Sequence, residues 1–305
     1  MIIVKKVLIV FVIVSTILAL AGCSSYNDGW RPVSDETEGT GTPDTVIDDP
    51  VTDPPATEYD PPETETEPAT QPPATEAQTE PDTTSFVPDG TVFRPKAMMY
   101  HLIMEEPYND YGALFVRPSS FEAQLAALKE AGYEFLFADE WRETDRPSVI
   151  LTFDDGYEDN YTNMFPILRK YGGRATVFLI SDMVGDPGYL NEDQIREMAS
   201  SGLVSFQCHT ASHVDLSYQT EEVLRDQFSR SCSYIESLTG KPVRALAYPG
   251  GSYNDLVLSV VPDYFDFCYT TKSPYSVTEY GNYTVPRYYI AREMTIDSFG
   301  SIIEY

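Results

Sequence analysis

Short apolar runs alternate with amphipathic segments from residue 92 to residue 305, and this alternation limits the possible folds more than any other feature of the chain. Parallel strands need a crossover connection, usually a helix, so the pattern predicts an α/β fold, either a barrel or a doubly wound sheet. Eight short runs favour the barrel, whose functional residues lie at the carboxyl ends of the strands. The predicted strands are Ala97–His101, Glu134–Phe137, Ser148–Phe153, Ala175–Ile180, Leu203–Cys208, Ala245–Tyr248, Phe265–Thr270 and Tyr283–Arg287.

Three of the intervening helices have recognisable ends. A Ser, Thr or Asn before an apolar pattern predicts a helix start, and a Gly after the pattern predicts its end. The predicted start and end positions are Ser119 (in a capping box with Glu122) and Gly132, Asn191 and Gly202, and Thr220 and Gly240.

The amino-terminal end carries the pattern of an export signal. Two lysines precede an apolar run from Val7 to Ala21, which is short for a membrane-spanning helix, although a plain membrane anchor stays open. The run leads into Leu-Ala-Gly-Cys, and these four residues resemble the lipobox of bacterial lipoproteins. The resemblance implies that residues 1–22 are a lipoprotein signal peptide and that the Cys23 thiol carries a diacylglyceryl group.

Residues 23–90 have the composition of a spacer. From residue 24 to residue 90 the chain has 12 Pro, 13 Thr and 17 acidic residues against one basic residue. Such a segment cannot bury enough apolar surface to offset the entropy lost on ordering. We expect a disordered tether that holds the domain of residues 91–305 at the extracellular face of the bacterial cytoplasmic membrane and lets it reach into the cell wall.

The formal net charge of −28 excludes a general nucleic-acid binder, because the chain could not neutralise a run of phosphates. Residues 91–305 alone carry 31 acidic against 17 basic residues. This field suits a substrate that is neutral or cationic. We expect a monomeric chain with no nucleic-acid partner.

Two adjacent carboxylates follow a buried strand. The apolar run that ends at Phe153 leads directly into Asp154 and Asp155, and Gly156 then turns the chain. Two neighbouring carboxylates disfavour burial and repel each other, so they need a cation or must share a proton. An ordinary acidic turn is the alternative.

The chain has three histidines, and two of them are four residues apart. His209 and His213 follow the predicted strand that ends at Cys208. Two imidazoles and one carboxylate form a three-ligand site for Zn²⁺ or a similar ion, with coordination positions left for water and substrate. A chance pair of histidines is the alternative.

Together, Thr152-Phe153-Asp154-Asp155-Gly156 and His209-Thr210-Ala211-Ser212-His213 resemble the first two motifs of the polysaccharide deacetylases, the family 4 carbohydrate esterases. The resemblance covers about residues 92–300. It implies a distorted (β/α)₇-type barrel that removes acetyl groups from carbohydrate with a divalent metal ion. Carried over by position, Asp154 is the general base, and Asp155, His209 and His213 are the metal ligands.

The third motif departs from the common pattern. Many members have an Arg two residues before a Pro-aromatic pair, whereas Ala245–Asn254 here contains Tyr-Pro-Gly-Gly-Ser-Tyr, which resembles a variant found in a large branch of the family. The resemblance implies the Tyr248 N–H as oxyanion donor, with Pro249 next to the substrate or the base. The missing Arg leaves Asp154 without its usual partner. Arg287 is a candidate, and an ordinary surface Arg is the alternative.

The fourth and fifth motifs are missing from their usual places. The tryptophans are Trp30 and Trp141, neither in an Asp-Trp motif, and no histidine follows His213. His101 instead ends a strand at the start of the domain. This arrangement resembles a circularly permuted branch of the family that acts on exported amino-sugar polymers, and it implies His101 as the general acid. A structural histidine at a strand end is the alternative.

The resemblance therefore implies a hydrolase that removes N-acetyl groups from N-acetylglucosamine in a cell-wall polysaccharide or exopolysaccharide. It implies one divalent ion, Zn²⁺ first and Co²⁺ or Ni²⁺ as alternatives. An O-acetyl esterase acting on a xylan-like glycan and a catalytically silent carbohydrate-binding module of the same fold remain open.

Besides Cys23, the chain has Cys208, Cys232 and Cys268, an odd number that permits one disulfide at most. None has metal-type spacing. Apolar surroundings favour free buried thiols at Cys208 and Cys268, while a Cys232–Cys268 disulfide stays open.

Overall fold

The computed structural model describes residues 90–106 and 114–305. The predicted signal peptide of residues 1–22 and the predicted tether, apart from its last residue, lie outside the described residues. Within the two described ranges, no helix is both long enough and apolar enough to cross a membrane.

Parallel strands form one large sheet, in the order β10-β1-β5-β6-β7-β8-β9, and β4 pairs with the first half of β5. β2 and β3 pair separately. The strands are β1 Lys96–Tyr100, β2 Leu102–Ile103, β3 Phe115–Val116, β4 Glu134–Leu136, β5 Ser148–Phe153, β6 Ala175–Leu179, β7 Val204–Cys208, β8 Ala245–Ala247, β9 Phe267–Tyr269 and β10 Tyr288–Tyr289.

The chain between β9 and β10 joins the two edges of this sheet. Val285 pairs with Tyr269 of β9, and three residues later Tyr288 pairs with Met98 of β1. The curled sheet thus has strands or bridges all around it, which confirms the prediction of a distorted (β/α)₇-type barrel. The predicted strand Tyr283–Arg287 is wrong in its bounds, because Pro286 lacks the N–H that a continuous ladder needs.

Among residues 90–106 and 114–305, six α-helices connect or follow the strands. They are α1 Pro118–Glu130, α2 Phe165–Tyr171, α3 Glu192–Ser200, α4 Glu221–Thr239, α5 Asp255–Val260 and α6 Ile296–Ile303. The caps predicted at Asn191 and Thr220 are confirmed, since both side chains accept a backbone N–H of their helix. The capping box predicted at Ser119 is wrong. Pro118 already occupies the first helical position, and Glu122 bonds to α2 instead.

The alternation along each strand separates the inner face of the barrel from the helix-facing side. On β5, Val149, Leu151 and Phe153 pack in the main core with the helices, whereas Ile150 belongs to a separate inner cluster. The inner face of β5 continues through Thr152 to Asp154. In the same way, the inner face of β7 continues through Gln207 to His209. The sheet therefore directs both polar side chains towards the mouth of the barrel.

Candidate active site

The turn after β5 separates the two carboxylates. Asp155 has a φ of 75° and Gly156 a φ of 82°, a left-handed region that costs a non-glycine residue free energy. A Cβ at Gly156 would lie 2.5 Å from Leu179 Cδ2, so the turn packs directly against β6. This conformation sends Asp154 and Asp155 in different directions.

Asp155 meets both predicted histidine ligands. Its Oδ1 lies 3.3 Å from His209 Nε2 and 3.6 Å from His213 Nε2, and one ligand atom from each residue lies within 4.8 Å of the others. Ligands bound at zinc distances in tetrahedral geometry are about 3.4 Å apart. The three atoms are therefore spaced as ligands of one ion.

The surroundings of this cluster fit a metal ion. Asp155 Oδ1 is buried and has no hydrogen-bond partner within the described residues. His209 Nδ1 contacts the Ala247 carbonyl at 2.8 Å, which makes Nδ1 the donor and leaves Nε2 free to bind an ion. His213, whose side chain is 44% exposed, leaves the cluster open to solvent. The donor set is that of a catalytic site rather than a closed structural one.

The loop that carries the two histidines is strained and internally bonded. Thr210 and His213 have φ angles of 67° and 55°. The Thr210 hydroxyl accepts the His213 N–H at 2.9 Å, and Gln227 Oε1 of α4 accepts the N–H groups of Ala211 and Ser212. Gln227 was not predicted from the sequence, although a Gln between Leu224 and Phe228 on the apolar face of a helix indicates a buried polar role.

Asp154 forms a different kind of pair. Arg287 donates from Nη1 to Asp154 Oδ1 and from Nη2 to Oδ2, both at 2.7 Å. The guanidinium also donates to the Thr270 carbonyl and the Thr152 hydroxyl, each at 3.0 Å, and Arg287 has no exposed surface. Arg287, whose backbone lies just before β10, is therefore the cation beside Asp154.

The pKa shifts follow from these partners. Burial alone would raise the pKa values of Asp154 and Asp155, but Arg287 lowers that of Asp154, and His209 lowers that of Asp155 well below the usual range. Burial opposes protonation of His209, yet Asp155 raises its pKa. Burial and the neighbouring His209 lower the pKa of His213. Both carboxylates are thus ionised at neutral pH.

His101 lies next to Asp154. Its Nε2 is 4.0 Å from Asp154 Oδ2, and its side chain is 13% exposed. Its Nδ1 is buried without a hydrogen-bond partner in the described part of the chain. The histidine directly follows β1, which pairs with β5, so the sheet itself brings His101 next to Asp154.

Two residues behind His101 were not identified from the sequence. Asn160 donates from its amide to the His101 carbonyl at 3.0 Å and to Asp159 Oδ1 at 2.8 Å. The Asp159 carboxylate also accepts the Ile103 N–H, and burial raises its pKa to about 7. The pair fixes the backbone on both sides of Leu102. Its only sequence signal is an acid and an amide placed just after the Asp-Asp-Gly turn.

The turn after β8 corrects one assignment. The Tyr248 N–H donates to the Tyr269 carbonyl at 3.0 Å, within the pairing of β8 and β9. It is therefore not free to bind an oxyanion, the role that the resemblance implies for it. Pro249 is buried and has no N–H. The next N–H belongs to Gly250, which has a φ of 59°, and no hydrogen bond from it occurs within the described residues.

The three cysteines of the domain are free thiols. Cys208 contacts Cys232 through their sulfur atoms, and Cys268 instead contacts Tyr248. The Cys232–Cys268 disulfide that the sequence left open does not form in this structure.

Comparisons with known proteins agree with this site. Residues 142–264 match the family model of the polysaccharide deacetylases. YxkH of Bacillus subtilis, which is named as a polysaccharide deacetylase, is 30% identical over 233 residues, covering 74% of this chain and 81% of YxkH. The poly-β-1,6-N-acetyl-D-glucosamine N-deacetylase of Staphylococcus epidermidis is 27% identical over 239 residues, covering 68% of this chain and 81% of that protein.

Solved structures give the same result. BC0361, a polysaccharide deacetylase from Bacillus cereus, superposes with a TM-score of 0.64 at 33% identity, covering 70% of each chain. The Streptococcus pyogenes deacetylase PplD superposes with a TM-score of 0.63 at 28% identity, covering 70% of this chain and all of PplD. With this fold, these motifs and these relatives, the chain belongs to the polysaccharide deacetylases of carbohydrate esterase family 4.

Proposed function

We propose that this deacetylase removes N-acetyl groups from N-acetylglucosamine units of a cell-wall polysaccharide or exopolysaccharide, using one divalent ion. The proposal rests on two adjacent carboxylates at one mouth of the barrel that have different partners. Asp154 is held in two hydrogen bonds by Arg287. The adjacent Asp155 faces His209 and His213 with an unbonded oxygen.

Asp155, His209 and His213 would hold the ion, for which we propose Zn²⁺, with Co²⁺ or Ni²⁺ as alternatives. When bound, such an ion lowers the pKa of water and polarises a carbonyl oxygen. A neutral imidazole is the form that binds metal, and the lowered pKa of His213 favours that form at neutral pH.

Asp154 is the general base in this proposal. A base must be ionised and must point at the attacking water, and Arg287 serves both requirements. Its charge keeps the pKa of Asp154 low, and its two parallel hydrogen bonds fix the plane of the carboxylate. Asp154 Oδ2, which lies on the His101 side, accepts the proton of the water.

His101 is the general acid. An amide nitrogen is a poor leaving group unless it is protonated, so a donor must stand near the scissile bond. His101 Nε2 lies 4.0 Å from Asp154 Oδ2, so the acid and the base of this proposal are next to each other. Asn160 and Asp159 hold the backbone on which His101 sits.

The Gly250 N–H replaces that of Tyr248 as the oxyanion donor. The Tyr248 N–H already bonds to the Tyr269 carbonyl, and Pro249 has no N–H, so the Gly250 N–H is the next one along the turn. A Cβ built on Gly250 would contact no atom within 4 Å, so the turn is open at this point. The turn directly follows Ala247, whose carbonyl contacts His209 of the imidazole cluster, and this supports Gly250 as the donor.

The proposed location is outside the cytoplasmic membrane. The lipobox-like sequence before Cys23 supports a lipid anchor, and the composition of residues 23–90 supports a tether reaching into the wall. We propose a monomer that acts on polymer within that reach.

The test is acetate release by the metal-stripped protein after Zn²⁺, Co²⁺ or Ni²⁺ is restored. The substrates are β-1,6-linked N-acetylglucosamine oligomers, peptidoglycan and acetylxylan. The proposal predicts release from the first or second substrate, abolished in Asp154→Asn. Release from acetylxylan alone would establish the O-acetyl esterase instead, and release from none would favour a silent binding module.

A further inference from the structure

Two cysteine side chains meet between the sheet and α4, beside residues 209–213, which we name the histidine loop. On β7, Phe206 and Cys208 are buried in the main core, on the side that packs against the helices. On α4, Cys232 follows the buried Phe228 by four residues and packs against the same core. The two thiols therefore face each other across one interface between a strand and a helix.

The Cys208 thiol contacts both sides of this interface. Its sulfur contacts that of Cys232, and it donates to the neighbouring Ser231 Oγ at 3.4 Å. The Thr210 N–H donates to the same sulfur at 3.3 Å. Cys208 is fully buried, whereas Cys232 is half-buried. One sulfur is thus in contact with the backbone of the histidine loop and with the side chain of a second, more accessible cysteine.

The helix that carries Cys232 already holds the histidine loop. Gln227 Oε1 accepts the N–H groups of Ala211 and Ser212, and Gln227 Nε2 donates to Ser212 Oγ at 2.9 Å. A bond between the two sulfurs would add a covalent link between the same helix and the strand that leads into the loop. That link would close a segment of 25 residues, counted from 208 to 232 inclusive. Both imidazoles of the proposed metal site lie inside this segment.

We propose that Cys208 and Cys232 form a reversible disulfide that fixes the histidine loop to α4 and slows release of the bound ion. The proposal rests on the metal site and the location given under the proposed function. Outside the cytoplasmic membrane, the cytosolic thiol systems that keep neighbouring cysteines reduced do not act. Cys268, which contacts Tyr248 instead, takes no part in the pair.

The oxidant is itself a disulfide, and the exchange occurs in two steps. The thiolate of the more accessible Cys232 attacks one sulfur of the oxidant, which gives a mixed disulfide and releases one thiol. The Cys208 thiolate then attacks the Cys232 sulfur and releases the second thiol. The protein loses two electrons and two protons, and the oxidant gains both as it becomes two thiols.

The first measurement is peptide mapping of the full chain after treatment with oxidised glutathione or with dithiothreitol. Trypsin, which cuts after Lys and Arg, places Cys208, Cys232 and Cys268 in three different peptides. Oxidised glutathione is expected to join the first two peptides with the loss of two hydrogen masses, and dithiothreitol is expected to separate them. No link, or a link to the Cys268 peptide instead, would overturn the proposal.

The second measurement is the Tm of the metal-free protein in its oxidised and reduced forms. A closed segment of this length restricts the unfolded chain, so oxidation should raise Tm by about 5 °C or more. Cys232→Ala cannot form the link, and its Tm should not respond to the oxidant. Cys268→Ala is the matched control, because it removes another buried thiol but keeps the pair, and its Tm should rise as in the wild type. An equal rise in Cys232→Ala would reject the pair.

The third measurement is the rate at which the zinc-loaded protein loses its ion to an excess of EDTA. The oxidised wild type should release zinc about fivefold more slowly than the reduced wild type, because the loop must open locally before the ion leaves. Cys232→Ala should release zinc at one rate under both conditions. Equal rates in the two wild-type forms, with the link present, would reject the proposal and leave the proposed function untouched. A wild-type protein that binds no zinc, cobalt or nickel would instead reject the proposed metal site, and this proposal with it.

Discussion

Asp154 and Asp155 are neighbours in the chain, yet they lie in two unlike regions of the site. Both oxygens of Asp154 are bonded to a buried guanidinium that belongs to the protein. Asp155 presents a buried, unbonded Oδ1 to two imidazole nitrogens, one of which is on a half-exposed side chain. The first region is complete without any added group, and the second is arranged to receive one.

The difference shows how one turn can give two carboxylates separate tasks. Two ionised carboxylates side by side would repel each other, and a separate positive partner for each removes that penalty. The left-handed φ of Asp155 turns its side chain away from that of Asp154, and Gly156 continues the turn. Each of the following predictions tests the Asp154 region, the Asp155 region or a part of the chain outside both.

Arg287→Met should give the largest effect on stability, because it leaves Asp154 buried without a partner. Breaking a buried pair in this way costs about 3–5 kcal/mol in free energy of unfolding. Since Arg287 lowers the pKa of Asp154, the pair stabilises the folded state at neutral pH, and this stabilisation is lost as pH falls through that pKa. The gap between wild type and variant in urea unfolding should therefore narrow below about pH 4. Arg142→Met, at an exposed ion pair, is the control and should cost less than about 1 kcal/mol.

His101→Ala tests the residue beyond the base. The variant should bind metal normally and lose about 100-fold or more in kcat on an N-acetyl substrate, whose leaving amine must be protonated. It should lose far less on an aryl acetate, whose phenolate leaves unaided. Parallel losses on both substrates, with a lowered melting temperature, would mean that His101 is only structural.

Asp159→Asn tests the buried pair of Asp159 and Asn160 that holds the backbone at His101. The pKa of Asp159 is raised to about 7 from an ordinary value near 4, so the folded state holds this proton more tightly than the unfolded state. Folding stability from this group is present below about pH 4 and is lost as pH rises towards 7. The Asn side chain cannot ionise. At pH 8 the free energy of unfolding of the variant should therefore be about 1–3 kcal/mol higher than that of the wild type, and this difference should vanish near pH 4. An advantage that does not change with pH would contradict the burial of an ionising Asp159.

Deletion of residues 30–88 should have the smallest effect, because every residue proposed for the site lies between residues 91 and 305. Acetate release from soluble oligomers should stay within twofold of the wild type. Release from intact cell wall should fall if reach matters. A loss on soluble oligomers would show that the segment contributes to the domain.

The sequence predicted the parts of this fold that follow local rules. The strands that lead into Asp154 and His209 and the caps at Asn191 and Thr220 were predicted because they depend on neighbouring residues only. Ser119 failed as a cap because Pro118 starts the helix one residue earlier. Local patterns also did not reveal the Gly250 N–H, because only the pairing of β8 with β9 shows that the Tyr248 N–H is committed.

The contact between Asp154 and Arg287 joins residues 133 positions apart. It depends on the closure of the barrel by the segment before β10, and no periodic pattern in the sequence predicts that closure. The sequence could offer Arg287 only as a candidate, whereas the structure gives its contacts. The same limit applies to Asp159 and Asn160, whose partners lie across the sheet on the segment after β1.

The most direct test of the two-region account is zinc content measured alongside turnover in Asp154→Asn and Asp155→Asn. Both proteins are stripped, reloaded with Zn²⁺ and analysed by mass spectrometry of the metal. The account predicts that Asp154→Asn keeps about one zinc per chain and loses about 1,000-fold in kcat, because it removes the base and not a ligand. Asp155→Asn should lose most of its zinc together with its activity. Equal zinc loss in both variants, or full turnover in Asp154→Asn, would contradict the division of tasks between the two carboxylates.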